Sequence, residues 1–188
     1  MIHDLILRYE KSPFLTFEET EHLNQLLKFI EQESECFERT LKKGHITGSS
    51  FILNYEKNAI ALTHHKKLNL WLQPGGHSDG DPDTLNVALR EAQEETGITS
   101  LAILHTDIFD VDIHKIPETS KEPAHYHYDI RFLFRAPADA KFVMSEESND
   151  LTWAPLAKLE NFTLERSVHR MKEKWNKHKL SIVRWGNA

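Results

Sequence analysis

One cysteine in 188 residues, Cys36, cannot close an internal disulfide and cannot build a thiolate zinc cluster. That scarcity points to a reducing, cytoplasmic setting. No segment reaches the ~18 consecutive apolar residues of a membrane-spanning helix. The opening MIHDLILRYEK sets Asp4 and Arg8 inside its apolar run and does not read as a leader. Positive charge is also in short supply, with 23 Lys plus Arg against 29 Asp plus Glu and a formal charge of −6. Such a balance repels a polyphosphate backbone and argues against nucleic acid as a partner. Hydrophobic residues make up only 39%, yet ten Phe, four Trp and four Tyr supply enough large apolar surface for a core. The expectation is one soluble, compact domain with room for an appendage and with no membrane or nucleic-acid partner.

Residues 1–43 read as helical, because Leu5 and Ile6, then Leu23, Leu26, Leu27 and Ile30, recur at three- and four-residue steps around a Ser12-Pro13 break. Thr16 followed by Glu19 supplies a capping box for the second helix. This extension is expected to cover one side of the main domain or to form a homodimer contact, and it carries no assigned chemistry. From Gly44 the texture changes to short β-prone runs. His45–Leu53 and Ala59–Thr63 flank the polar cluster 54–58 as a predicted hairpin, and Leu68–Gln73 is a third run stopped by Pro74-Gly75-Gly76. Asp81 as N-cap, Pro82 at the first helical position and Gly97 as stop predict a helix over 82–96. Strands are expected at Leu101–Ile113, Tyr126–Phe134 and Leu151–Ala154. A last helix starts near Leu164, with Val168, Met171 and Trp175 on one face.

On the predicted helix, Glu91, Glu94 and Glu95 occupy a sector about 100° wide beside the apolar face of Leu85, Ala88, Leu89 and Ala92. Like charges at these spacings cost roughly 0.2–0.5 kcal/mol per pair, and the helix dipole disfavours anions near its C-terminus. A hard divalent cation offsets that cost, since Mg²⁺ takes oxygen ligands and is commonly shared between carboxylates and phosphates. For the helix alone, a solvated acidic face neutralised by Arg90 is the simpler alternative.

The glycine loop tips the balance. Gly76, Arg90-Glu91, Glu94-Glu95 and Gly97-Ile98 stand in register with the Nudix box, and Ala92 fills its aliphatic slot, so the segment 76–98 resembles that family's signature. One position departs: Pro82 stands where the family carries a glutamate, flanked by Asp81 and Asp83, either of which can support the loop instead. The resemblance implies an α/β/α sandwich with a mixed sheet over 44–188, preceded by the helical extension 1–43. It also implies Mg²⁺- or Mn²⁺-dependent hydrolysis of a diphosphate bond in a nucleoside diphosphate linked to another moiety. Glu94 and Glu95 are then metal ligands with the Gly75 carbonyl as a third, and Glu91 is a ligand or the base that takes the proton of water. Arg90 orients a box glutamate. Glu146 and Glu147 resemble the late loop glutamate that many members use as a base or as an extra metal ligand.

Three histidines, His64, His65 and His77, stand where they can face such a site; His64 and His77 are candidates for substrate binding. In the run 125–129, alternation puts His125, His127 and Asp129 on one strand face, suited to lining a nucleobase or sugar pocket, and Tyr126 and Tyr128 on the other. The His-x-His pair invites a zinc reading, but no third ligand stands at short spacing. Markers of the ADP-ribose, dinucleoside polyphosphate and coenzyme A subfamilies are missing, and the substrate stays open. A Nudix domain that senses nucleotides without turnover is the rival reading, although loss of activity normally shows in the box glutamates and all three are intact.

Overall fold

The computed structural model describes residues 2–119, 123–146 and 148–185. Helices α1 (Ile2–Tyr9) and α2 (Phe17–Gln32) form where the apolar spacing places them, and each buries one face, Ile2, Ile6 and Tyr9 on α1 and Leu23, Leu26 and Phe29 on α2. The capping box closes α2, the Thr16 amide donating to Glu19 Oε2 at 3.0 Å. Among the described residues, seven strands then build one mixed sheet: β1 (Gly44–Leu53), β2 (Ala59–His65), β3 (Leu70–Leu72), β4 (Gly75–His77), β5 (Ala102–Ile116), β6 (His125–Arg135) and β7 (Ser148–Pro155). Helix α3 (Thr84–Thr96) lies between β4 and β5, and a 3-10 turn, Leu156–Asn161, leads to α4 (Arg166–Trp185). Helices on both sides of a mixed sheet are the α/β/α sandwich expected from the sequence.

The spine of the sheet is the parallel pair β1–β6, in unbroken register from Gly44↔Tyr126 to Leu53↔Arg135, with β5 antiparallel on the far side of β6. Ile46, Phe51, Ile52, Phe132, Leu133 and Phe134 are buried at its centre, and side chains of α1, α2, α3 and α4 join the same core. Helix α3 comes close to β1 because position 48 is glycine. A Cβ there would lie 2.9 Å from the Ala88 nitrogen and the Thr84 carbonyl oxygen.

Four features of the chain differ from the pattern-based reading. The β1–β2 hairpin is closed at one registered pair, Leu53↔Ile60, because β4 takes the neighbouring edge of β1 (Thr47↔His77, Gly48↔Gly76, Ser49↔Gly75) while β2 pairs with β3 and β7. Strand β4 falls where a loop was expected; Gly-Gly-His has no alternating apolar pattern, and backbone pairing alone makes it a strand. Helix α3 starts at Thr84 with Asp83 as N-cap, its carboxylate accepting from the Asn86 amide at 3.1 Å. Asp81 instead accepts from the Asp83 amide at 2.9 Å, so Pro82 precedes the helix. The last helix begins at Arg166, two residues beyond Leu164.

One side of the sheet is welded to its helices by buried charge. Asp110 and Asp112 on β5 and Asp129 and Arg131 on β6 meet Arg170 and Lys174 from α4 and Glu19 from α2. Glu19 has no solvent exposure; its Oε1 accepts from the Tyr9 hydroxyl at 2.6 Å, from Lys174 at 2.5 Å and from the Val111 amide at 3.0 Å. The Val111 carbonyl in turn accepts from Arg170 at 3.0 Å. The outer edge of β5 is thereby covered by α2 and α4, and its backbone groups are satisfied by side chains instead of a further strand.

Candidate active site

The loop from β4 into α3 is the centre of the candidate site. Gly76 approaches the helix so closely that a Cβ would sit 2.2 Å from Glu91 Oε2. Arg90 ties the two elements together, donating to the His77 carbonyl at 2.9 Å and to Glu91 Oε1 at 2.6 Å, with Glu94 Oε2 at 3.6 Å from the same nitrogen. The side chain of Glu91 is 15% exposed and that of Glu94 62% exposed, so one is held under the loop and the other reaches solvent. Glu95 is half-buried one turn beyond Glu91.

Local sequence explains why the helix can carry these acids. Val87, Ala88, Ala92 and Thr96 are buried on its inner face, and Asp83 caps its start. Gly97, at φ 72°, ends it in the left-handed conformation with its amide donating to the Gln93 carbonyl. The segment carrying Val143 crosses that end, the Val143 amide donating to the Thr96 carbonyl at 2.9 Å. Glu146 follows as an exposed residue beside a cleft lined by Lys66, Met144 and Ser148. Glu147 lies outside the described residues.

Oxygen donors dominate the loop and helix: three carboxylates, with the Gly75 carbonyl at the head of β4. The donor chemistry fits a hard divalent cation. The tight seat of Glu91 under Gly76 is a cradle that a side chain at position 76 would fill, which accounts for glycine there.

The histidines expected near the site divide into two groups. His64, on β2, stands beside Trp71 at a ring separation of 5.0 Å and pairs with Asp150 across to β7. His77, His125 and His127 converge with a fourth ring, His45. The His45 ring centroid lies 4.9 Å from that of His77, 5.0 Å from His125 and 4.8 Å from His127. His114 is next to the group, 5.4 Å from His127. Burial, reinforced by the neighbouring histidines and by Arg39 and opposed by the Leu41 backbone, pushes His45 down to about 4. Burial first, and then the neighbouring His114, His45, His77 and His125, push His127 down to about 2. Asp129 is not available in the same way: it is 1% exposed and accepts from Thr47 (2.9 Å), Ser49 (2.7 Å) and Arg131 (2.7 Å). Tyr128, on the opposite face, stacks on Phe29 at 3.9 Å.

Sequence reading missed His45 and His114, since nothing local marks them. Their signal is pairing, because β1–β6 register sets His45 beside His127 and β5–β6 register sets His114 beside His127.

Comparison with known proteins agrees with this architecture. Residues 45–176 match the family model described as NUDIX domain. A protein of Lactococcus lactis subsp. cremoris named as a probable DHNTP pyrophosphohydrolase is 27% identical over 135 residues, 71% of this chain and 78% of that one. Among solved structures, a binary complex of the C. elegans Ap4A hydrolase aligns with a TM-score of 0.59 at 18% identity, over 72% of this chain and 98% of that chain. The E. coli dihydroneopterin triphosphate pyrophosphohydrolase aligns with a TM-score of 0.52 at 11% identity, over 68% and 92%. These two share the fold. The family match spans well over half of the chain and contains the whole loop and helix just described, and the protein belongs to the Nudix family of pyrophosphohydrolases.

Proposed function

We propose that this chain hydrolyses a diphosphate linkage in a nucleoside diphosphate joined to another moiety, using Mg²⁺ or Mn²⁺ held by Glu94 and Glu95 together with Glu91 and the Gly75 carbonyl. The observation that carries the reading is the clamp at the start of the box. Arg90 spans the His77 carbonyl and the Glu91 carboxylate, and Gly76 leaves room for that carboxylate alone. When bound, the cation neutralises charge on the bridging diphosphate and lowers the pKa of a coordinated water.

The protein's own groups then have distinct tasks. Arg90 fixes Glu91 and, by holding the β4 carbonyl, keeps Gly75 and Gly76 at a set distance from α3. Glu94, exposed and one turn from Arg90, reaches toward solvent where a polyphosphate enters. Glu91 or Glu147 takes the proton of the attacking water. His64 is proposed to contact the substrate's other moiety.

Phosphate release after phosphatase treatment tests the reading, across ADP-ribose, nucleotide sugars, dinucleoside polyphosphates, NADH, nucleoside triphosphates and, given the names of two relatives, a pterin triphosphate. Turnover that needs Mg²⁺ or Mn²⁺ and vanishes with chelator is expected for one class. Metal-dependent binding of a panel member without cleavage would instead identify a nucleotide-sensing module.

A further inference from the structure

The histidine cluster has no task in the hydrolysis just proposed, yet its geometry is specific. We infer that His45, His77 and His127 form a binding site for a first-row transition metal of the Zn²⁺ class, distinct from the carboxylate site of the box. One nitrogen from each ring lies within 4.8 Å of the others. Tetrahedral coordination at Zn–N distances near 2.0–2.1 Å sets nitrogens roughly 3.3 Å apart, so side-chain shifts of about an ångström close the set. Imidazole donors suit Zn, Cu, Fe and Ni, whereas Mg²⁺ takes oxygen.

Two independent features point to a ligand. His45 is 2% exposed, and neither ring nitrogen finds a hydrogen-bond partner of good geometry among the described residues. A buried ring whose nitrogens have no well-aligned partner beyond a loose contact with the Leu41 backbone costs stability unless something occupies the space between it and its neighbours. The second feature is His125, whose Nδ1 lies 2.9 Å from the Pro123 carbonyl oxygen. An N–H donated there leaves Nε2 with its lone pair aimed at His127 Nε2, 3.2 Å away. That separation is close to the spacing of two ligands on one tetrahedral ion, and it sets His125 directly beside the three-histidine group.

Strand geometry keeps this site apart from the box. Gly76 and Gly48 face α3, as their close contacts with Glu91 and Ala88 require, and residues adjacent on a strand point to opposite faces. His77, paired with Thr47, therefore stands on the other side of the sheet with His45 and His127. Carboxylate metal and imidazole metal would sit on opposite faces of β4, joined through one peptide unit.

Co²⁺ titration of the chelator-stripped full chain, followed by its visible d–d absorption, tests the inference, with Zn²⁺ displacement as the second readout. A band of low-symmetry nitrogen coordination is expected at one equivalent. It should survive excess Mg²⁺ and the Glu94→Gln substitution, and be weakened about a hundredfold or more in His77→Ala and in His127→Ala. Circular dichroism of each variant reports folding, and half-buried His77 decides the matter should His127→Ala fail to fold. No band in the wild-type protein, a band unchanged in folded His77→Ala, or a band lost in Glu94→Gln would overturn the assignment. The last result would place the ion in the box and leave the hydrolase reading intact.

Discussion

Gly76 and Glu91 illustrate how one missing methyl group can matter to chemistry more than to stability. A Cβ at position 76 would press on the end of a carboxylate side chain, 2.2 Å from Glu91 Oε2, and a flexible side chain can move aside. Gly76→Ala is therefore expected to lower kcat by at least about tenfold, equivalent to ~1.4 kcal/mol of transition-state stabilisation, while the melting temperature changes little. Equal losses of activity and stability would mean that the loop collapses rather than that Glu91 is displaced. Residues of the box were legible in the sequence, because Gly76, Arg90, Glu91, Glu94, Glu95 and Gly97 are close along the chain and their spacing survives folding. Asp81 and Asp83 were legible as a pair but not in their division of labour. Either carboxylate satisfies the rules for an N-cap, and only the hydrogen bonds to the Asp83 and Asn86 amides separate turn from cap. The histidine cluster was the opposite case. His45, His77 and His127 are far apart in sequence, and no short-range spacing announces a convergence made by β1–β4 and β1–β6 register.

At the scale of elements, α2 is fastened by charge as well as by its apolar face. Glu19 plays two parts, with Oε2 in the capping box and Oε1 receiving Tyr9, Lys174 and the Val111 amide. Glu19→Ala removes the cap partner, leaves the Val111 amide without its acceptor and costs Lys174 one of two carboxylate partners. Breaking a buried ion pair from one side costs about 3–5 kcal/mol, and chemical denaturation should show a loss of about 3 kcal/mol. A loss below about 1 kcal/mol would mean that solvent reaches the pair in the folded protein. The capping motif and the amphipathic pattern of α2 could be read from the chain, whereas the second use of Glu19 could not, since its partners come from three other elements. Strand β4 escaped for a different reason: its three residues pair through backbone, and backbone pairing leaves no trace in side-chain type.

For the molecule as a whole, the buried network makes stability depend on pH in a definite direction. Burial alone would raise the pKa of Asp110, but Lys174 and Arg170 on α4 and Arg131 on β6 outweigh it and hold the carboxyl down to about 2. Glu19 on α2 and Tyr9 on α1 face the same group of charges from the other side, and burial, with Glu19 and Asp110, pushes the Tyr9 hydroxyl well up. Asp112 is also held below the ordinary carboxylate range, burial being overcome by Arg131, His114 and Arg170. A carboxyl whose folded pKa lies below its unfolded value near 3.8 stabilises the fold at pH above that value. The contribution is lost as pH falls through about 4 toward 2. For Asp110 it amounts to roughly 2 kcal/mol. Guanidinium unfolding at pH 5 and pH 3 should therefore show a smaller difference in Asp110→Asn than in the wild-type chain; an equal difference would remove Asp110 as the source. Architecture at this scale was readable where pattern is strong, in the helix that carries the box and in the closing helix, while the mixed sheet was implied by the resemblance of the box to its family. The charged layer between sheet and α4 was hidden, because polar residues on β5 and β6 look like solvent-facing positions until a basic helix covers them. The central claim is that the box carboxylates perform metal-dependent pyrophosphate cleavage, and the most direct measurement is turnover of the preferred panel substrate by Glu94→Gln and Glu95→Gln with saturating Mg²⁺. Both variants are expected to fold with wild-type circular dichroism and to lose at least about a hundredfold in kcat, ~2.7 kcal/mol. Wild-type turnover by either folded variant would contradict the account.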